Sequence, residues 1–175
     1  AFLRAARTSL IKFSSDGYAL FAVLNGFNLL VALCLLPFVP PPNVESFIYL
    51  GISAVAYTGL VFLTLAALKH ADLSLYYPVD AGALDIFLVV FGLIALQETL
   101  GLLNSAGLAL VFLSLPLLME PGKIKEGLRS RAFILSVLSG FVNGIMFSAD
   151  TIGIRVSGNP FSYIVYNMLV VIPAI

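Results

Sequence analysis

Five long stretches of this chain carry no charged side chain. Residues 17–44, 46–68, 99–119, 132–149 and 156–175 contain no Asp, Glu, Lys or Arg. Each is near the roughly 20 apolar residues that a helix needs to cross a bilayer core of about 30 Å. In hydrocarbon every backbone donor and acceptor must be satisfied within the segment, so the α-helix is the default. Composition removes the soluble alternative. Of 175 residues 61% are hydrophobic and 10% charged, whereas a soluble domain is about a quarter charged. The mean hydropathy is +1.07. The expected fold class is all-α, a polytopic transmembrane helix bundle.

Breakers and charges divide the chain into seven pieces. Residues 1–12 read as the end of a first span. A second covers 17–36 and is stopped by Pro37 and the Pro40-Pro41-Pro42 run, because proline lacks the donor a helix interior needs. The third is 46–68. The fourth is 73–97, with Pro78 in its first turns, where a missing donor costs little. The fifth is 101–119, the sixth 132–154, and a seventh starts near Phe161. About six to seven spans are therefore present. The chain opens on Ala1 and stops at Ile175 inside an apolar run, so we expect a fragment truncated at both ends. Short connections imply antiparallel neighbours.

Basic residues set an expected orientation. Lys12, Lys69, Lys123, Lys125, Arg129 and Arg131 fall on one face and Arg155 alone on the other, so the positive-inside rule puts the first group in the cytoplasm. The chain also echoes itself. "TSLIKFSSDG" at 8–17 matches "TIGIRVSGNP" at 151–160, pairing Thr8 with Thr151, Ile11 with Ile154, Lys12 with Arg155 and Ser14 with Ser157 at an offset of 143. Both copies end an apolar span with a basic residue. Five spans separate them, so they cross in opposite directions, and inverted repeats are a signature of secondary transporters.

These residues resemble the EamA-like branch of the drug/metabolite transporter superfamily over nearly the whole chain. The stretch "AYTGLVFLTLAALKHADLSLYYPVDAG", followed by "LIALQETLGLLNSAGLALVFLSL", resembles that family's A-L-K-x-A-D-L-S-x-x-Y-P run, its glutamate after span four (Glu98 here) and its glycine-bearing fifth span. "SADTIGIRVSGNPFSY" is similar to the family's sixth-span ending, with Asp150, Gly153, Arg155, Ser157 and Gly158 in place, and "LIKFSSD" to the end of its first span. The resemblance implies a ten-helix carrier built from two five-helix inverted repeats. Residues 1–119 would be the first repeat without its start, 120–131 a cytoplasmic linker, and 132–175 the opening of the second repeat. Pro78, Gly82, Glu98, Asp150 and Arg155 would be the family's structural motif positions. The chain departs from the pattern where relatives carry H-A-x-W-N, having "RAART" instead. In "YPVDAGALD" Ala81 replaces an arginine and Asp85 a proline.

Asp80 and Asp85 are the residues that need explaining. An Asp at the centre of a span costs about 2.5–3.5 kcal/mol on insertion scales. The cost is tolerated where the residue faces a cavity, a partner or the membrane edge. Asp80 lies about one turn from the start at Leu73, close enough to reach interfacial water. Asp85 stands about 18 Å in, at a rise of about 1.5 Å per residue, near the midplane. The functional reading is that Asp85, with Asp80, lines a wet cavity and binds a cation, a proton or a cationic substrate group. The structural reading beside it is an ion pair with Arg4 or Arg7, one turn apart in the first span. Tyr57 and Tyr77 are further candidates to line the cavity. Tyr76 reads as part of an interfacial aromatic belt, and Asn25 and Asn28 serve equally as interhelical glue or substrate contacts. Glu98 reads as a cap or loop residue, and Asp150 and Arg155, flanking the end of span six, read as structural interface residues ahead of substrate contacts. The small residues of "GISAVAYTG" and "SGFVNG" allow close helix approach.

The function expected is secondary transport of a small metabolite, amino acid or drug-like compound in a bacterial inner membrane. The resemblance implies export, with proton coupling through Asp85 as a hypothesis. Membrane lipid is the expected surrounding and a homodimer is compatible. Neither a cofactor nor a metal is called for, since Cys34 and His70 are the single residues of their kinds and no H-E-x-x-H, CxxC or G-x-x-x-x-G-K occurs. No basic, aromatic-rich patch points to nucleic acid. The chain is not read as an enzyme. A lipid- or isoprenoid-handling membrane enzyme and a scaffold or scramblase without a polar pocket are the rival readings.

Overall fold

The computed structural model describes residues 16–70, 73–95 and 130–171, with scattered residues between 97 and 113. Among the described residues five α-helices are delimited in chain order: α1 (Gly17–Leu35), α2 (Ser46–His70), α3 (Leu73–Ala95), α4 (Arg131–Val156) and α5 (Pro160–Val171). All regular structure among the described residues is helical. Four stretches, Ala19–Phe38, Ser46–His70, Leu75–Ile94 and Arg131–Val156, are long and apolar enough to cross a membrane. Three of them match a charge-free block or its continuation, and Leu75–Ile94, which carries Asp80 and Asp85, falls in the expected fourth span. The expected first span, with Arg4 and Arg7, lies outside the described residues, as do Glu98 and most of 101–129.

Local chemistry sets the helix ends. Asp16 Oδ1 accepts from the Ala19 amide (3.1 Å) at the start of α1, Ser130 Oγ from Phe133 (3.1 Å) at the start of α4, and Asn159 Oδ1 from Phe161 (3.0 Å) at the start of α5. These are the residue types that satisfy free N-terminal donors. Pro37 closes α1 in a 3₁₀ turn, Leu36–Phe38. Gly158 follows α4 with φ +75°, the left-handed conformation that lets a helix end and the chain reverse. Pro78 corrects one expectation. It is the sixth residue of α3, beyond the free donors of the first turn, so it removes a bond back toward Ser74 from the helix interior.

Successive described helices run antiparallel except α3 and α4, which run parallel: Tyr76 meets Ser139, Asp80 and Ala83 meet Gly140, and Phe87 meets Gly144. Phe21 of α1 packs with Val61, Leu65 and Leu68 of α2, and four residues later Asn25 meets Tyr57, so α1 and α2 run antiparallel. Asn43, just before α2, donates Nδ2 to the Val156 carbonyl (3.0 Å) and its backbone amide to that of Ser157 (3.2 Å). This joins the start of α2 to the end of α4. The tight turn at 157–159 makes α4 and α5 an antiparallel hairpin, so α1 and α5 also oppose each other. Lys69 and Arg131 therefore sit at one end of the bundle and Arg155 at the other.

Packing centres on α4, which lies against both α2 and α3. Its buried face is nearly all small: Ala132, Ser136, Ser139, Gly140, Asn143, Gly144, Ser148, Ala149 and Gly153. Without a hydrophobic force between helices in lipid, association depends on close van der Waals contact, and small residues permit it. A Cβ at Gly140 would meet the Asp80 carbonyl oxygen, the Ala83 Cβ at 2.6 Å and the Leu84 amide nitrogen at 3.0 Å. At Gly144 it would meet only the Phe87 side chain. Outside the bundle, Val23, Phe27 and Leu30 of α1 and Ile48, Val55 and Phe62 of α2 are exposed, the apolar coat that lipid rather than water accepts.

Gly140→Ala should thus destabilise the bundle by about 1–3 kcal/mol, the usual cost of overpacking against groups that cannot yield. Gly144→Ala should cost a similar amount, because the new Cβ would lie 2.7 Å from Phe87 Cγ and 2.9 Å from Phe87 Cβ, atoms that a turn of the ring does not move. Gly51→Ala, with open space around it, should be neutral or stabilising by up to about 1 kcal/mol through helix propensity. Reversible unfolding in mixed micelles measures all three.

Candidate functional site

Among the described residues two polar clusters lie inside this apolar bundle. The first is toward the end that carries Lys69 and Arg131. The Tyr76 hydroxyl of α3 lies 3.0 Å from Thr64 Oγ1 of α2 and 3.1 Å from Ser139 Oγ of α4, with Thr64 and Ser139 themselves 3.4 Å apart. The same hydroxyl donates to Asp80 Oδ1 at 3.5 Å. Asp80 is 2% exposed. Three helices are tied at one point by hydroxyls that satisfy one another, which is how buried polar groups avoid a desolvation cost. Tyr76 is thus a core residue and not a belt residue, and Asp80 does not reach interfacial water.

The second cluster surrounds a cavity of about 160 Å³. Its polar lining is Asn25 and Asn28 from α1, Tyr57 from α2, Asp150 from α4 and Asn167 from α5, and its apolar lining is Met146, Met168 and Val171. Asp150 Oδ1 accepts from the Tyr163 hydroxyl (3.1 Å) and from Asn167 Nδ2 (2.9 Å), which also reaches Ser53 Oγ at 3.3 Å. Gly153 makes room for the Tyr163 ring, since a Cβ there would collide with it. Across the cavity Tyr57 donates to Asn25 Oδ1 at 2.8 Å. Asn25 is 3% exposed, and its Nδ2 has no hydrogen-bond partner.

The cavity is central in depth. Tyr57 is eleven residues into α2, about 16 Å from its start at about 1.5 Å per residue, roughly half the thickness of a hydrocarbon core. Asn25 lies ten residues before the end of α1, at similar depth. The lining also carries the sequence offset. Positions 25 and 168, and positions 28 and 171, are each separated by 143 residues, as are the capping residues Asp16 and Asn159 and the helix starts Gly17 and Pro160. Corresponding positions of α1 and α5 thus face one cavity.

Of the residues singled out from the sequence, Tyr57 and Asp150 line the cavity. Asp85 does not. It is on the exposed side of α3, while Asp80, five residues earlier, is turned inward. The expected angle of about 140° between them around the helix is what separates them. Tyr77 is half-buried against the apolar cluster around Tyr76, Gly82 is buried and Arg155 exposed. Sequence reasoning missed Asn167, Ser53 and Tyr163. The signal for Asn167 was present, since it is the one amide inside the apolar run of α5 and adjoins the position that matches Asn25. Among the described residues no three His, Cys, Asp or Glu side chains gather as metal ligands would. Comparison of the chain with protein-family models, with curated proteins and with solved structures yields no match.

Removing the hydroxyl that joins three helices should be costly. Tyr76→Phe is expected to destabilise the bundle by about 1–3 kcal/mol, because Thr64 and Ser139 lose a buried partner. Asp85→Asn, at an exposed position, should stay within about 0.5 kcal/mol of the parent. Denaturation of the two variants side by side distinguishes these effects.

Proposed function

We propose that this chain is part of a secondary transporter that moves a small polar molecule across a membrane by alternating access. The observation that carries the reading is a polar cavity at mid-depth between two antiparallel helices whose lining positions repeat at the offset of the sequence echo. Carriers made of inverted repeats place their substrate near the bilayer midplane at the interface of the repeats. A carboxylate, three amides and a phenol converging inside lipid-soluble helices are expensive unless a ligand or water uses them. The resemblance to EamA-like carriers adds export as the direction and a bacterial inner membrane as the place, with Lys69 and Arg131 at the cytoplasmic end. On this reading α1 and α5 are equivalent spans of the two repeats, and no covalent chemistry is performed.

On this reading the central carboxylate is Asp150 and not Asp85. A residue that lipid can touch is a poor place for coupling, whereas Asp150 is held by Tyr163 and Asn167 beside the cavity. Asp80 and its hydroxyl partners would form a tie between α2, α3 and α4 at the cytoplasmic end, of the kind that has to loosen when that end opens.

The test is metabolite profiling of cells that express the protein. At least one small metabolite should move out of the cells relative to a vector control, Asp150→Asn should remove that difference by tenfold or more (about 1.4 kcal/mol per decade), and Asp85→Asn should retain most of it. An unchanged phenotype in Asp150→Asn, with normal membrane insertion, would remove the proposed site.

A further inference from the structure

We infer that the cavity selects a small molecule of net charge +1, a protonated amine with a neutral hydrogen-bond acceptor close by, of the amino-alcohol or amino-amide class. The inference rests on the transporter reading for its setting and goes beyond it in naming the ligand chemistry. Three observations define the class.

The first is charge. Among the described lining residues Asp150 is the one charged side chain; the others are amides, a phenol, two thioethers and a valine. Asp150 Oδ1 takes hydrogen bonds from Tyr163 and Asn167, donors that stabilise the carboxylate when it is ionised. A charge in such surroundings requires a partner of opposite sign, and among the described residues no Lys, Arg or His lines the cavity to provide one. A protonated amine completes the pair. A zwitterion would bring a second carboxylate beside Asp150 with no cation to receive it, and an anion would be repelled.

The second is an unused donor. Asn25 Oδ1 is occupied by Tyr57, while its buried Nδ2 has no partner. A buried donor left unmade is costly, and groups of this kind in native structures mark a missing water or ligand. It calls for an acceptor, and a neutral hydroxyl or carbonyl supplies one without adding negative charge. The third is size. The cavity of about 160 Å³ is comparable with cavities of about 150 Å³ that hold one benzene ring. Drug-sized ligands occupy pockets of about 300–1,000 Å³. Met146 and Met168 offer an adaptable apolar wall for the carbon skeleton.

Three probes separate the alternatives in the full chain reconstituted in lipid nanodiscs: prolinamide, proline and tetraphenylphosphonium, each titrated calorimetrically. Prolinamide should bind about tenfold or more tighter than proline, its zwitterionic counterpart, because proline's carboxylate lacks a cation. Tetraphenylphosphonium, too large and without an acceptor, should not compete. Asp150→Asn should weaken prolinamide about 30-fold and narrow its lead over proline. Asn25→Leu should weaken it about three- to tenfold. The probe ranking uses the unaltered protein, so it decides the matter even where a variant fails to fold. Proline binding as well as prolinamide, effective competition by tetraphenylphosphonium, or no prolinamide binding overturns the inference.

The transporter reading has its own readout. In Met168→Cys, with Cys34→Ser, impermeant thiol reagents should reach position 168 from either side of the membrane. One-sided labelling with the prolinamide preference intact removes transport and keeps the ligand class. Two-sided labelling without that preference keeps transport and removes the ligand class.

Discussion

Everything in this molecule follows from the absence of water around its helices. In lipid, apolar side chains gain nothing by meeting one another, so the bundle is held by how closely backbones approach and by polar groups that find partners. The face of α4 answers both needs. Gly140 and Gly144 let α3 lie against it, and Ser139 joins the hydroxyl tie of Tyr76 and Thr64. The same helix carries Asp150 to the cavity nearly three turns further on. One small-residue stripe thus sets both the packing and the position of the site.

The same constraint gives the cavity its meaning. A soluble protein can leave an amide unpaired near its surface at little cost, because water completes it. Asn25 has no such recourse at the centre of α1, yet its Nδ2 is unpartnered while its Oδ1 is held by Tyr57. With Asp150 fixed opposite by Tyr163 and Asn167, the lining is rigid on one side and has unused capacity on the other. That asymmetry is what a binding site requires and what a purely structural cluster, such as Tyr76 with Thr64 and Ser139, does not display.

Much of the architecture was legible in the sequence because charge and proline mark span limits directly. Pro37 ended α1 as expected, whereas the caps Asp16, Ser130 and Asn159 emerged only with the structure. The glycines of "SGFVNG" announced a close approach, though not that α3 was the partner. The site was harder to read. Asp85 drew attention because it lay deepest in its span, but depth along a helix says nothing about which way a side chain faces. Asp80 was turned inward by only five residues of register. Asp150 looked like an end-of-span interface residue because its partners, Tyr163 and Asn167, come from α5, 13 and 17 residues away, and Asn167 in turn reaches Ser53 of α2. Only tertiary assembly brings them together.

The central claim is that one face of α1 meets a wet cavity while the other meets lipid. Nitroxides placed singly along positions 23–30, in a Cys34→Ser chain in bilayers, report this through collision with a water-soluble nickel complex and with lipid-soluble oxygen. The account predicts a nickel maximum at 25 and 28 and an oxygen maximum at 23, 27 and 30, with helical periodicity. Uniform oxygen access with no nickel signal at 25 or 28 would contradict it.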